Sequence, residues 1–444
     1  MKTAWFREAH SPTRCMWGLG LLLLGACRSE PPAPPLPVRV TYSEQIAPIL
    51  EKNCVECHQP GQAAPFALRT YYDARRWAAM LVETVQQDRM PPWHADSHGE
   101  FEDEKRVTVW EKRLLAAWLQ AGAPEGTPLA PPSPEHPSPE WRLGKPDLVL
   151  EPSESFTLAA AGGDVYRHFV LPTTLPEHRY LAAVEIQPGN RKIVHHVTAF
   201  VDRSHRARKR DAADPGSGYT TGGELGFVPI GTLGGWAPGN QPHRLPRDTG
   251  ISLAKGADVV LQIHYHKVGT VEKDRTRVGL YFAKTLPRRR MRSIALETRE
   301  LTIPAGNADV TVRASTVLTT SVMLYSLMPH MHYRGKAMTV TALLPSGEER
   351  PLLHVPRYDF QWQRTYRFRK PFPLPEGTEL RLEAHFDNSA ANPRNPVHPP
   401  CTVHWGENST DEMCTAFLGV TIDDEDIPAG RLSYAFGFTG IDGL

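Results

Sequence analysis

The sequence predicts a multi-domain chain in which a small all-α domain precedes two all-β sandwich domains. Three observations lead there. The chain has 444 residues, about three times the roughly 150 that serve as a prior for one domain. The spacing of apolar residues changes near residue 146 from the helical period to the period of two that marks strands. Proline-rich segments flank the helical stretch, where connectors belong.

The helical stretch covers residues 41–128. Ile46, Ile49 and Leu50 share a helical stripe within Ser43–Leu50, and Trp77, Met80, Leu81 and Val85 share another within Asp73–Gln87. Val107, Trp110, Leu114, Leu115 and Trp118 form a third, closed by Gly122. Residues 129–145, with Pro131-Pro132-Ser133-Pro134 at their start, read as a linker. From residue 146 the alternating segments are Leu181–Ile186, Val194–Val201, Val259–Tyr265, Val278–Phe282, Ser321–Leu327, Met338–Leu344, Leu380–Phe386 and Thr415–Ile422. Gly, Pro, Asn and Asp punctuate them, and 42 Pro with 34 Gly suit short strands joined by turns. The stretch Pro287-Arg288-Arg289-Arg290 is a seam between halves of ordinary domain size, 146–287 and 288–444. Residues 203–225, basic and then Gly-rich, read as a solvated loop.

Composition narrows the function classes. Lys plus Arg is 50 against 49 Asp plus Glu, a balance that argues against nucleic acid as a partner. At 40% apolar residues the chain can build cores, and no apolar run reaches the roughly 20 residues of a membrane span. Lys2, Arg7 and Arg14 precede the short apolar stretch Met16–Ala26, so residues 1–26 read as an export signal. Leu24-Gly25-Ala26-Cys27 resembles the lipobox of bacterial lipoproteins, which implies a lipid on Cys27 and a membrane anchor in the periplasm or outer membrane. An ordinary signal peptide with an incidental Cys27 is the alternative. Residues 27–40, rich in proline, make a stiff tether.

Six cysteines leave four after export: Cys54, Cys57, Cys401 and Cys414. Cys54-Val55-Glu56-Cys57-His58 is the sharpest motif. Two thiols three positions apart match the two vinyl groups of a haem, and the next residue supplies an axial imidazole. A shuffled chain of this composition gives the pattern only roughly 0.003 times. Zinc needs further ligands at matching spacing, and a redox dithiol needs no following His. Residues 41–128 thus resemble a c-type cytochrome domain with one covalently bound haem. The resemblance places the distal Met beside Pro, which selects Met90 before Pro91; His94 competes, and Met80 packs in a helix core.

The second half carries His195-His196, His264-Tyr265-His266, His330-Met331-His332 and Met413. Taken singly these are weak, since a His pair arises about 0.8 times by chance at this His content. In a strand, residues two apart share a face, so each His-x-His offers two imidazoles to one side. Adjacent His195 and His196 point to opposite faces unless a bulge intervenes. The order His-His, Leu261-Gln262-Ile263-His264-Tyr265, His-Met-His, Glu412-Met413-Cys414 closely resembles the copper type II, ascorbate-dependent monooxygenases, across roughly residues 146–440.

That resemblance implies two jelly-roll sandwiches facing across a solvent-filled cleft, each holding one of two copper ions. His195, His196 and His264 hold one copper; His330, His332 and Met413 hold the other, where O₂ is used and a substrate C–H bond is hydroxylated. Gln262 stands beside the first site, His266 falls outside the pattern, and Cys401 pairs with Cys414. A thioether suits Cu(I) and is foreign to zinc. The three positions that grip a peptide carboxylate in amidating members are Met328, Thr415 and Phe417 here, so another small-molecule substrate is expected. The fused haem, fed by an external reductant or a redox partner protein, supplies electrons. The rival is a non-catalytic haem- and copper-binding electron carrier or copper-handling lipoprotein.

Overall fold

The computed structural model describes residues 34–60, 62, 64–129, 140–221, 225–227 and 232–431. The signal, Cys27, most of the tether and most of the linker lie outside these residues. Among the described residues no helix is long and apolar enough to cross a membrane.

Strand dominates the chain, with 37% of residues against 12% helix. The expectation of an all-α cytochrome-type domain ahead of two sandwiches is therefore corrected: the chain is predominantly a β-sandwich protein. Its N-terminal part is a set of short helices joined by long irregular stretches, 54–70 and 87–108. The helices are Ala47–Asn53, Tyr71–Arg76, Ala78–Gln86 and Val109–Gln120, with one π turn at Tyr42–Ile46. Two of them start on capping boxes, Thr70 with Asp73 and Thr108 with Glu111, which satisfy otherwise orphaned N–H groups. Ile46, Leu50, Leu81, Leu114, Leu115 and Trp118 fill their shared core. Met80 is not in it; its side chain is 47% exposed, because Leu81, Val82 and Val85 take the inward positions.

This part is also not self-contained. Residues 96–102 lie along the edge strand Tyr366–Leu374: Glu102 N–H donates to the Arg367 carbonyl (2.8 Å) and Arg369 N–H to that of Glu100 (2.9 Å). Ala95 and Phe101 are buried in the core of the second sandwich, with Trp93 packed against it. The apolar residues after the haem motif thus complete a β core.

In the first sandwich one sheet runs Leu148–Leu150, Arg277–Phe282, Arg179–Gln187, Thr249–Leu253, Arg289–Arg290. The other runs Tyr219–Thr221, Val165–Pro172, Asp258–Tyr265, Val194–Asp202, Thr232–Trp236. Between them Leu181, Leu253, Leu261, Ile263, Val278 and Leu280 are fully or nearly fully buried. Segment 203–225 is more than a loop. It contains the helix Arg206–Asp211, whose Ala207 packs with Tyr219, Phe227 and Val260.

The second sandwich pairs the sheet Arg292–Thr298, Cys414–Ile422, Val322–His330, Tyr366–Leu374 with Val310–Val317, Glu379–Phe386, Gly335–Leu343, Glu349–Val355. At the seam the arginines are tied down: Arg288 pairs with Asp426 (2.7 Å), and Arg292 bonds the fully buried carboxylate of Glu425 (2.8 Å) together with Arg290. Truncating Phe101 to alanine is expected to cost about 3–5 kcal/mol. Amide exchange should then accelerate in Tyr366–Leu374; unchanged protection there would show that residues 96–102 do not support the second sandwich.

Candidate functional site

His196 stands opposite His264 in the pairing of Val194–Asp202 with Asp258–Tyr265. That pairing slips between Val194 and His196, and the bulge turns the adjacent rings of His195 and His196 toward one side. The ligand atoms of His195, His196 and His264 all lie within 4.8 Å of one another. The Nδ1 atoms of His195 and His196 are 3.1 Å apart, so only one of them carries a proton. His264 Nε2–H donates to Asp164 (2.8 Å), and Tyr166 stacks flat on its ring at 4.3 Å. The Nδ1 of His264 is buried with no hydrogen-bond partner. A carboxylate on one ring nitrogen and a bare lone pair on the other is how a metal-binding imidazole is held. Burial pushes His195 down to about 4 and His196 well below its ordinary value, so these rings are neutral, as a metal requires. Three such imidazoles fit copper.

The second cluster forms where Val322–His330 meets Cys414–Ile422, with His330 opposite Thr415. Met413 follows Glu412 and lies two residues before Thr415 in the chain. The Glu412 carboxylate accepts the backbone N–H groups of His332 (2.8 Å) and Arg334 (2.6 Å), and Arg334 donates to the Thr410 carbonyl (2.9 Å). These bonds fasten the methionine-bearing turn to the His-Met-His turn. The rings of His330 and His332 are 5.2 Å apart and nearly perpendicular. His330 Nδ1–H donates to Gln363 (2.9 Å), leaving its Nε2 for a ligand, and His332 Nδ1–H donates to the Asp411 carbonyl (3.2 Å). Burial lowers them to about 4 and about 3. Two neutral imidazoles fit a copper ion.

The two clusters adjoin. The Phe360 ring lies 6.1 Å from His195 and 5.5 Å from His332, and Tyr166 Oη is 2.8 Å from Ser409 Oγ across the sandwiches. The solvent-filled cleft expected between the sites is closed here by an aromatic ring and a hydrogen bond.

At the haem motif, Cys54 and Cys57 are free thiols, and burial pushes Cys54 up to about 12. His58 Nδ1–H donates to the Phe66 carbonyl (3.1 Å), which leaves Nε2 for a metal. Its ring packs on Phe66, which stacks on Trp77. Gly239 packs closely beside the thiols: a Cβ there would stand 3.9 Å from Cys57 Sγ and only 2.9 Å from the Arg364 guanidinium, which would have to shift. The donor set, two free thiols and an imidazole with Nε2 unspent, fits a covalent haem. Met90 ends the turn after Ala78–Gln86. His94, whose proton affinity burial lowers, faces Asp359 and Arg364.

Other expectations change. Cys401 is exposed, Cys414 is fully buried, and both are free, so the pairing implied by the resemblance is not made. Cys414 begins an inner strand whose side chain turns into the core. His266 lies past its strand end and meets Asp164 (3.4 Å) from solvent. Gln262 contacts His168 (3.1 Å), a histidine that sequence reasoning passed over. Asp164, Tyr166, Phe360, Gln363 and Glu412 were also missed. Only Glu412 carried a signal, its adjacency to Met413.

No family model matches the chain. Among solved structures, the chain is similar to the structure of infectious bursal disease virus Gx strain at 9% identity and TM-score 0.18, covering 62% of this chain and 72% of that one. It is similar to the major capsid protein P2 of bacteriophage PM2 at 8% identity and TM-score 0.24, covering 62% and 96%. A tandem CBM22 domain of Paenibacillus barcinonensis Xyn10C follows at 9% and 0.14, covering 62% and 93%. Likeness at this level carries no argument about function.

Asp164→Asn keeps the hydrogen bond but removes the charge behind His264, and copper affinity is expected to fall about 10–100-fold; competition titration with a chelator measures it. The second prediction concerns pH. His195, His330 and His332 bind protons less readily folded than unfolded, so the unfolded chain holds more protons between pH 6.5 and about 4. Stability of the metal-free protein should fall as pH drops through that window, read as a declining urea midpoint.

Proposed function

We propose that this chain is an exported, lipid-anchored copper-dependent monooxygenase that hydroxylates a C–H bond of a small, uncharged substrate. One observation carries the reading: His195 and His196 of one strand and His264 of another converge within 4.8 Å, beside a second cluster built on His330 and His332. The overall reaction balances as RH + O₂ + 2 e⁻ + 2 H⁺ → ROH + H₂O, with electrons from an external one-electron donor. Copper at the two clusters and haem on Cys54 and Cys57 would supply the redox chemistry.

The chain's own residues do the rest. Asp164 orients His264, and Gln363 and the Asp411 carbonyl orient His330 and His332. Phe360 keeps water from between the clusters. Phe417, 6.1 Å from His330 and paired with Met328, gives the substrate side an apolar wall. With Thr415 buried beside it, that wall suits an apolar substrate rather than a carboxylate. Lipid on Cys27 would hold the protein at a membrane of the cell envelope.

A second reading, an electron carrier or copper-handling lipoprotein, is favoured by the closure of the two sandwiches through Tyr166 and Ser409. Loading with copper and haem, then comparing wild type with Met413→Ala, separates them. The enzyme reading expects O₂-dependent substrate turnover in the wild type and a loss of more than about tenfold in the variant. Reversible electron transfer with no O₂-dependent turnover in the wild type would overturn it.

A further inference from the structure

A cluster of cations lies at the strand end of the first sandwich farthest from His195 and His196. Arg203, Arg206, Arg208, Lys209 and Arg210 are all exposed and fall within eight consecutive positions. The helix Arg206–Asp211 presents most of them. Its Ala207 is buried against Tyr219, Phe227 and Val260, so the residues around it turn outward. This helix follows the strand Val194–Asp202, and about 20 Å of extended chain separates Asp202 from His196.

The chain as a whole is nearly neutral, 50 Lys and Arg against 49 Asp and Glu, so the excess here is local. The neighbouring carboxylates are turned inward or engaged. Asp258 is fully buried and takes Arg208 (2.6 Å). Asp202, also fully buried, accepts the backbone N–H groups of Ser204 (2.7 Å) and Ala207 (3.0 Å). Asp214 pairs with Arg167 (2.9 Å), and one oxygen of Asp211 is buried. Arg210 donates to the Gly226 carbonyl (3.2 Å). Among the described residues, Arg203, Arg206, Lys209 and Arg210 make no ion pair. Arg206 and Arg210 stand four apart in the helix, where like charges repel.

The surroundings select the kind of partner. A protein interface gathers apolar and aromatic side chains at its centre, and here the helix's one apolar residue, Ala207, faces the sandwich. A protein donating electrons would dock near the metal it reduces, yet this face lies at the opposite strand end from His195 and His196. An anionic lipid surface needs neither, since clusters of four to eight Lys and Arg bind it through charge. We propose that Arg203, Arg206, Lys209 and Arg210 form a docking face for anionic phospholipid headgroups. Docking there turns the strand end that carries His195 and His196 away from the membrane. The face does not require the lipid on Cys27, and it stands whether or not the histidine clusters hold copper.

The test uses the full chain carrying Cys27→Ser, so that no lipid anchors it. This parent is co-sedimented with vesicles of phosphatidylcholine alone and of phosphatidylcholine mixed with phosphatidylglycerol. It should partition onto the mixed vesicles and not onto the neutral ones, and added salt should release it. Adding Arg203→Gln, Arg206→Gln and Lys209→Gln together should weaken partitioning at least about tenfold, since each cation at such a surface contributes a factor of roughly five. Arg203→Lys with Arg206→Lys keeps the charge and should bind like the parent. Undiminished binding of the triple Gln variant overturns the docking face, as does equal binding of the parent to neutral vesicles. Absence of the parent from the mixed vesicles also overturns it, and leaves an acidic protein as the partner to seek. Should the triple variant fail to fold, Arg206→Gln and Lys209→Gln decide singly, each by a loss of about fivefold.

Discussion

The hydroxyl of Tyr358 holds the peptide of Met331 from both sides, accepting from its N–H (3.1 Å) and donating to its carbonyl (2.8 Å). This clasp ties the loop 356–365 to the His-Met-His turn, and every candidate site leans on that loop. Phe360 separates the two histidine clusters, Gln363 orients His330, Arg364 borders the haem motif, and Tyr366 packs on Trp93 and Phe101. The loop crosses between the sheets of the second sandwich, from Glu349–Val355 to Tyr366–Leu374. It has no regular ladder of its own, so side-chain bonds such as that of Tyr358 must define its shape. Disturbing one contact of the loop thus reaches three chemically different places.

Much of this was legible in the residues, and the limits have physical causes. Period-two patterning located the strands that carry His196 and His264, and that of His330 only as far as Leu327, because strand alternation is a local property of the chain. The motif Cys54-Val55-Glu56-Cys57-His58 is equally local. The convergence of His195 with His196 depended on a bulge between Val194 and His196, which arises from pairing with a distant strand. Asp164 and Gln363 act on His264 and His330 from 100 and 33 residues away, and no spacing rule reaches that far. The N-terminal part was read as an independent all-α domain because its helical stripes are real. Phe101 and Trp93 fall within residues 41–128, yet tertiary pairing places them against a β core. The Cys401–Cys414 pairing came from resemblance alone, and Cys414 instead packs inward among aliphatic side chains.

Charge gives the sites a common logic. Burial keeps His195, His196, His330 and His332 neutral, so each cluster offers lone pairs without its imidazoles offering anions. The first has one carboxylate behind it, Asp164; the second has none on its imidazoles, since Gln363 and a backbone carbonyl orient them. The Glu412 carboxylate does not supply one, because burial raises it to about 8 and its oxygens are spent on backbone N–H groups. Desolvation penalises a divalent ion far more than a monovalent one. Under the proposed function, an uncharged set with a thioether therefore favours Cu(I) at the second cluster, while Asp164 eases the burden of Cu(II) at the first. The asymmetry between the two clusters thus lies less in their ligands than in what stands behind them.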